Sequence, residues 1–119
     1  MNTKTPAQYA STAADAIRAL NHATLTTTGR DGWEYPSDAY DVIGALDQMA
    51  GGMNQALKQV WMLLSGLAGD GHIRSDQGTP DQDLAAARAA LDTARAAADQ
   101  LVTALSRAHS ATGHLGYQD

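Results

Sequence analysis

His22, His72, His109 and His114 are the imidazoles this chain offers for metal binding or proton transfer. No two of them stand four residues apart, the spacing that sets two ligands on one helix face, so they give no metal signature. Asp38, Asp41 and Asp47 flank Tyr40 and could supply paired carboxylates for acid–base work. Asp38 and Asp41, however, fall where a helix begins, and acidic side chains there answer the helix dipole. Asp70 opens a segment of calcium-loop character, but His72 stands two residues on and Asp81 takes the place of the closing Glu. There is no cysteine, which removes disulfides, thiolate ligands and thiol catalysis. Neither a phosphate-binding glycine loop nor a Ser/His/Asp set can be assembled. The expectation is a protein that is not an enzyme, with no catalytic residue, cofactor or metal.

The elements that would have to position any site read as helices throughout. Thr5-Pro6-Ala7-Gln8 is a helix start, with Thr5 as cap, Pro6 at the first helical position and Gln8 closing a capping box. The first helix is expected over 6–26, ending where Thr26, Thr27 and Thr28 run into Gly29. A second is expected over 37–68. In it Ile43, Leu46, Ala50, Met53, Leu57, Val60, Leu64 and Leu67 alternate spacings of three and four, a heptad seam. Gly51-Gly52 interrupts it at a propensity cost of roughly 2 kcal/mol against Ala-Ala, as a bend or a tolerated flaw, or as a break that folds the helix back on itself. Residues 69–78 form the next connection, where a small β-hairpin could turn Ile73 back onto the helix ends.

Thr79-Pro80-Asp81-Gln82 repeats the start signal and opens a third helix over 80–111. Its seam is Leu84, Ala87, Leu91, Ala94, Ala98, Leu101, Leu105 and Ala108, small enough for close packing against the bulkier second helix. Arg88, Asp92, Arg95 and Asp99 form a charge ladder expected on the solvated side. The fold class is therefore all-α: a three-helix chain built on a long antiparallel helical hairpin. Residues 1–111 make a single domain and 112–119 a frayed C-terminal tail.

With 119 residues, no Phe and a hydrophobic share of 44% rich in alanine, the core must be thin. Net charge is −5, concentrated in 31–79, where Asp31, Glu34, Asp38, Asp41, Asp47, Asp70 and Asp76 face only Lys58 and Arg74. Direct nucleic-acid binding is disfavoured, since phosphate neutralisation needs clustered Lys and Arg. The first ten residues do not read as a secretory signal and no run is long and apolar enough for a bilayer, so no membrane is expected and the location is cytoplasmic.

Lengths point to association. The second and third helices are each about 31 residues, roughly 46 Å, and the first about 20 residues, roughly 30 Å, so the far half of the hairpin is left two helices thick. Leu57, Val60, Trp61, Leu64, Leu67, Leu84 and Leu91 make that half the richest apolar surface and the expected homodimer interface, two hairpin ends forming a four-helix bundle. Fold-back at Gly51-Gly52 is the alternative, giving a monomeric bundle. Trp33, Tyr35 and Tyr40 gather half the aromatics of the chain in eight residues. They read as a plug for the bundle's open end or as the site for an unidentified protein partner.

The runs Ile17-Arg18-Ala19-Leu20-Asn21-His22-Ala23-Thr24-Leu25 and Trp33-Glu34-Tyr35-Pro36-Ser37-Asp38-Ala39-Tyr40-Asp41-Val42-Ile43-Gly44-Ala45-Leu46, the latter the more specific from Glu34 on, resemble small uncharacterised helical proteins of high-GC Gram-positive bacteria, often carried by phages or integrative and conjugative elements. That resemblance covers the first half of the chain and implies an accessory protein of a mobile element, without any assigned activity or site residue. Secreted helical hairpins of the Trp-X-Gly type are of similar length, but Trp33 is followed by Glu34-Tyr35 and lies outside the hairpin turn. The expected function is thus a homodimeric helical scaffold that binds another protein through the aromatic corner or the acidic face of the second helix. The alternative is a regulator acting on DNA or on DNA-binding proteins through acidic surface.

Overall fold

The computed structural model describes residues 3–25 and 30–119. Four helical segments follow one another: α1 (Pro6–Ala23), α2 (Pro36–Gly51), α3 (Met53–Gly69) and α4 (Pro80–Thr112). The chain is all-α. α2 and α3 form one bent arm, and both pack along α4, so the long antiparallel hairpin is present in part, its first arm bent and not one continuous helix.

Caps explain where the helices begin. At α1 the Gln8 N–H donates to Thr5 Oγ1 at 3.2 Å while the Thr5 N–H donates to Gln8 Oε1 at 2.8 Å, the reciprocal box that the sequence announces. At α4 the Gln82 N–H donates to Thr79 Oγ1 at 3.2 Å. α2 begins at Pro36, in the first helical position after Tyr35, and Asp38 supplies the capping carboxylate. α1 stops at Ala23, and the expected stop over 26–29 lies outside the described residues.

The expected single helix over 37–68 is interrupted at Gly52. Its N–H donates to the Met49 carbonyl at 3.1 Å, one residue tighter than the α-helical bond, and the ladder resumes as the Ala56 N–H reaches the Gly52 carbonyl. Gly52 keeps helical angles, φ −88° and ψ −11°, so the arm bends without reversing and the folded-back bundle does not form. α3 ends in a Schellman turn. The His72 N–H donates to the Leu67 carbonyl and the Gly71 N–H to the Ala68 carbonyl, with Gly71 at φ +75°, a conformation glycine adopts without steric cost.

No β-hairpin forms over 69–78. Ser75 organises that loop instead, its Oγ accepting from the Gln77 and Gly78 N–H groups while its hydroxyl meets the Asp83 carboxylate. Ile73 is half-buried, as expected of the loop's one apolar side chain.

The helix pair holds one register over its whole length. Tyr40 lies against His109, Asp47 against Ser106, Asn54 against Arg95 and Asp99, and Trp61 against Arg88. Ala50 and Ala98 are the two buried residues among those described, 1% and 5% exposed, on the facing sides of the arm and α4.

Beyond that level the inward faces leave the heptad. Asn54, Leu57, Trp61, Leu64 and Ala68 are half-buried, whereas Met53, Val60 and Leu67 are exposed. On α4 Val102 takes the inward place expected of Leu101, which is exposed. A straight helix turns once per 3.6 residues and drifts about 20° per heptad from a 3.5-residue repeat. Ala50, Asn54, Leu57, Trp61, Leu64 and Ala68 keep the straight-helix period, so the α3 seam slips by one residue past Ala50, as the α4 seam does past Ala98.

α1 is held loosely. Among the described residues none of its Cα atoms lies within 8 Å of a Cα of α2, α3 or α4, and only Ile17, Leu20 and Ala23 are half-buried in it. No helix of the described residues is long and apolar enough to cross a membrane.

Candidate functional site

The aromatic corner is assembled from a turn, a helix start and the far end of α4. Residues 30–33 form a β-turn, with the Trp33 N–H donating to the Arg30 carbonyl at 2.9 Å and Gly32 at φ +76°. Pro36 then enters α2, and Asp38 fixes that entry: its Oδ2 accepts from the Glu34 N–H at 2.8 Å and the Tyr35 N–H at 2.9 Å. These bonds, the Tyr35 one first and the Glu34 one second, hold the Asp38 carboxyl below the usual aspartate value.

Tyr40, one turn into α2, stacks on His109 of α4 with ring centroids 3.9 Å apart and planes at 21°. The imidazole also covers Gly44, where a Cβ would stand 2.8 Å from its Nε2. Tyr35 meets Tyr117 edge-on, 5.1 Å between centroids. The tail expected to fray thus contributes a contact. Turns carry the chain beyond Thr112, through the His114 N–H to Ala111 and the Leu115 N–H to Thr112, and bring Tyr117 to the start of α2.

Two of the three candidate partner-binding aromatics are therefore fasteners between α2 and the end of α4. Trp33 is half-buried and, with Glu34, Tyr35, Asp38 and Ala39, lines a shallow pocket of about 180 Å³. That volume is below what a typical small-molecule ligand fills and has room for about one side chain.

The expected dimer residues divide. Leu57, Trp61 and Leu64 share the α4-facing side of α3, and Leu84 and Leu91 lie half-buried on the opposing face of α4. The slip of the seam brings Trp61 in beside Leu57 and Leu64, and all five serve the intrachain hairpin. Val60 and Leu67 are left outside, in line with Met49, Met53, Ala56 and Leu63, all exposed. α1 stands over part of this stripe without filling the gap. Pro6, Tyr9 and Ala10 face Ala56, Gln59, Val60 and Leu63 across an apolar cavity of about 630 Å³.

A polar cluster that sequence patterning misses ties α3 to α4. Asn54 Nδ2 donates to both Asp99 carboxylate oxygens at 2.9 Å, and Arg95 Nε donates to Asn54 Oδ1 at 2.9 Å. Arg95 also lies 4.0 Å from Asp92, and the Arg88 guanidinium sits 5.6 Å from the Trp61 ring centre. The charge ladder expected on the solvated side instead flanks the helix interface. A polar residue one place after an expected seam position was the available signal.

Among the described residues no three His, Asp or Glu side chains gather as a metal site. No protein-family model, curated protein or solved structure matches the chain.

Proposed function

We propose that this protein is a non-enzymatic helical interaction protein that works as a homodimeric scaffold. One observation carries the reading: the chain exposes 9127 Å². A compact monomer of its 12.4 kDa mass exposes about 6,100 Å². That leaves about 3,000 Å² of excess per chain, more than enough for the roughly 1,000–2,500 Å² that each partner of an obligate homodimer buries. Shape agrees, with a radius of gyration of 19.3 Å and extents of 65 × 34 × 27 Å where a compact chain of this length has a radius near 13.5 Å.

The Trp33 edge of the aromatic corner is the second surface, for a different protein, and the sequence resemblance makes an accessory role on a mobile element the setting we favour. Light scattering of the full chain from low to high micromolar concentration tests the assembly. Twice the chain mass is the expected result, and a single-chain mass throughout refutes the homodimer. For the corner, recovery of a partner from the native host should fall with Trp33→Ala, and equal recovery by parent and variant removes it as a binding site.

A further inference from the structure

We infer that the stripe of Met49, Met53, Ala56, Val60, Leu63 and Leu67 is the surface on which a second copy of this chain docks, the two α3 helices running antiparallel about a two-fold axis. This rests on the homodimer reading and names the face and geometry that serve it.

The stripe runs along one side of the bent arm, its spacings alternating four and three from Met49, before the bend at Gly52, through Met53 to Leu67. It lies about a quarter turn round from the side that faces α4, so a second partner can sit on it without disturbing the hairpin. Val60 is 48% and Leu63 63% exposed even beneath α1. What stands over them is poor in bulk: Pro6, Tyr9 and Ala10 border a cavity of about 630 Å³, and Tyr9 is itself 60% exposed. α1 thus occupies the place without satisfying it, and its first turns move aside when a second α3 arrives.

The occupant follows from the pattern and from area. In an isologous antiparallel pair the residues on either side of the axis must match one another. With the axis level with residue 58, Met49 lies across from the second copy's Leu67, Met53 from Leu63, and Ala56 from Val60. Each larger side chain finds an apolar partner, and the smallest, Ala56, is next to the axis, where the helices approach. The charge of α3 does not oppose this, because Lys58 is the helix's only Asp, Glu, Lys or Arg and lies half a turn away from the stripe. Gly52, Gln59 and Gly66 form the uncharged rim. Of the twelve large hydrophobic side chains exposed among the described residues, five lie on this one stripe, a continuous apolar line longer than a small molecule would cover and of the length a second α3 would.

The absence of native cysteine allows a direct test in the full chain. Ala56→Cys and Val60→Cys are prepared separately and oxidised alone and as an equimolar mixture, with light scattering on Leu63→Glu and Lys58→Glu. We expect a 56–60 disulfide in the mixture in clear excess over either homodisulfide. Leu63→Glu should weaken the dimer at least about thirtyfold, and Lys58→Glu should leave it unchanged. Homodisulfides formed as readily by each variant alone overturn the antiparallel geometry. A dimer that survives Leu63→Glu and forms no 56–60 bond overturns this surface while leaving the homodimer reading intact. A parent chain that is monomeric throughout overturns both.

Discussion

The Asp38 carboxylate accepts the Tyr35 and Glu34 N–H groups that no helical carbonyl can reach, and both bonds favour its charged form. Its folded value therefore lies below the ordinary 3.8, and the sign of the linkage follows. The stabilisation is fully present above that value and is lost as pH falls through the folded one. Asp38→Ala should accordingly melt below the parent near neutral pH, with the gap closing well below pH 3.8. A gap that persists in acid would mean that Asp38 acts through something other than its charge. The same carboxylate sets the direction in which Tyr35 leaves the turn, so this one residue governs both the start of α2 and the contact with Tyr117.

Within the elements, glycine separates tolerance from requirement. A Cβ at Gly51 meets nothing within 4 Å, whereas one at Gly44 meets His109 Nε2 at 2.8 Å. Gly51→Ala should therefore stabilise the arm by about 1 kcal/mol in chemical denaturation, the usual gain for glycine to alanine in a helix. Gly44→Ala starts from the same gain but pushes His109 off Tyr40, so it should be no more stable than the parent and should shift the His109 ring resonances. Equal stabilisation by both would remove the close approach at Gly44. The helix starts could be read from Thr5-Pro6-Ala7-Gln8 and Thr79-Pro80-Asp81-Gln82 because capping depends on neighbours in sequence. The hairpin followed from matched lengths. The inward face of α3 could not be read in the same way, since heptad and straight pitch part by only about 20° per heptad and both fit the apolar positions as far as Ala50. Past it, the sequence offers Met53 and Asn54 as rivals, and only the presence of Arg95 and Asp99 on α4 favours Asn54. Tyr117 was hidden for a related reason: an aperiodic tail carries no sign of the ring it will meet.

At the scale of the whole molecule, the α2–α3 arm and α4 form one packed pair, and α1 stands apart from it. The bent α2–α3 arm and α4 share a register from Tyr40 to Trp61, cross-linked by Asn54 and by Ser106, whose hydroxyl donates to Asp47 at 3.0 Å. α1 has 18 residues, only about one turn beyond the length at which an isolated helix in water is marginal, and it gains little from burial. Local stability should follow that division. In amide hydrogen exchange, α1 should exchange fastest of the four helices and the amides around Ala50 and Ala98 slowest. Raising the protein concentration should then protect residues 53–67 further as the second copy covers them, while the first turns of α1 gain no protection. Slow exchange in α1 matching that of α4 would show a helix firmly seated on the stripe, and a face so occupied would not receive a second α3.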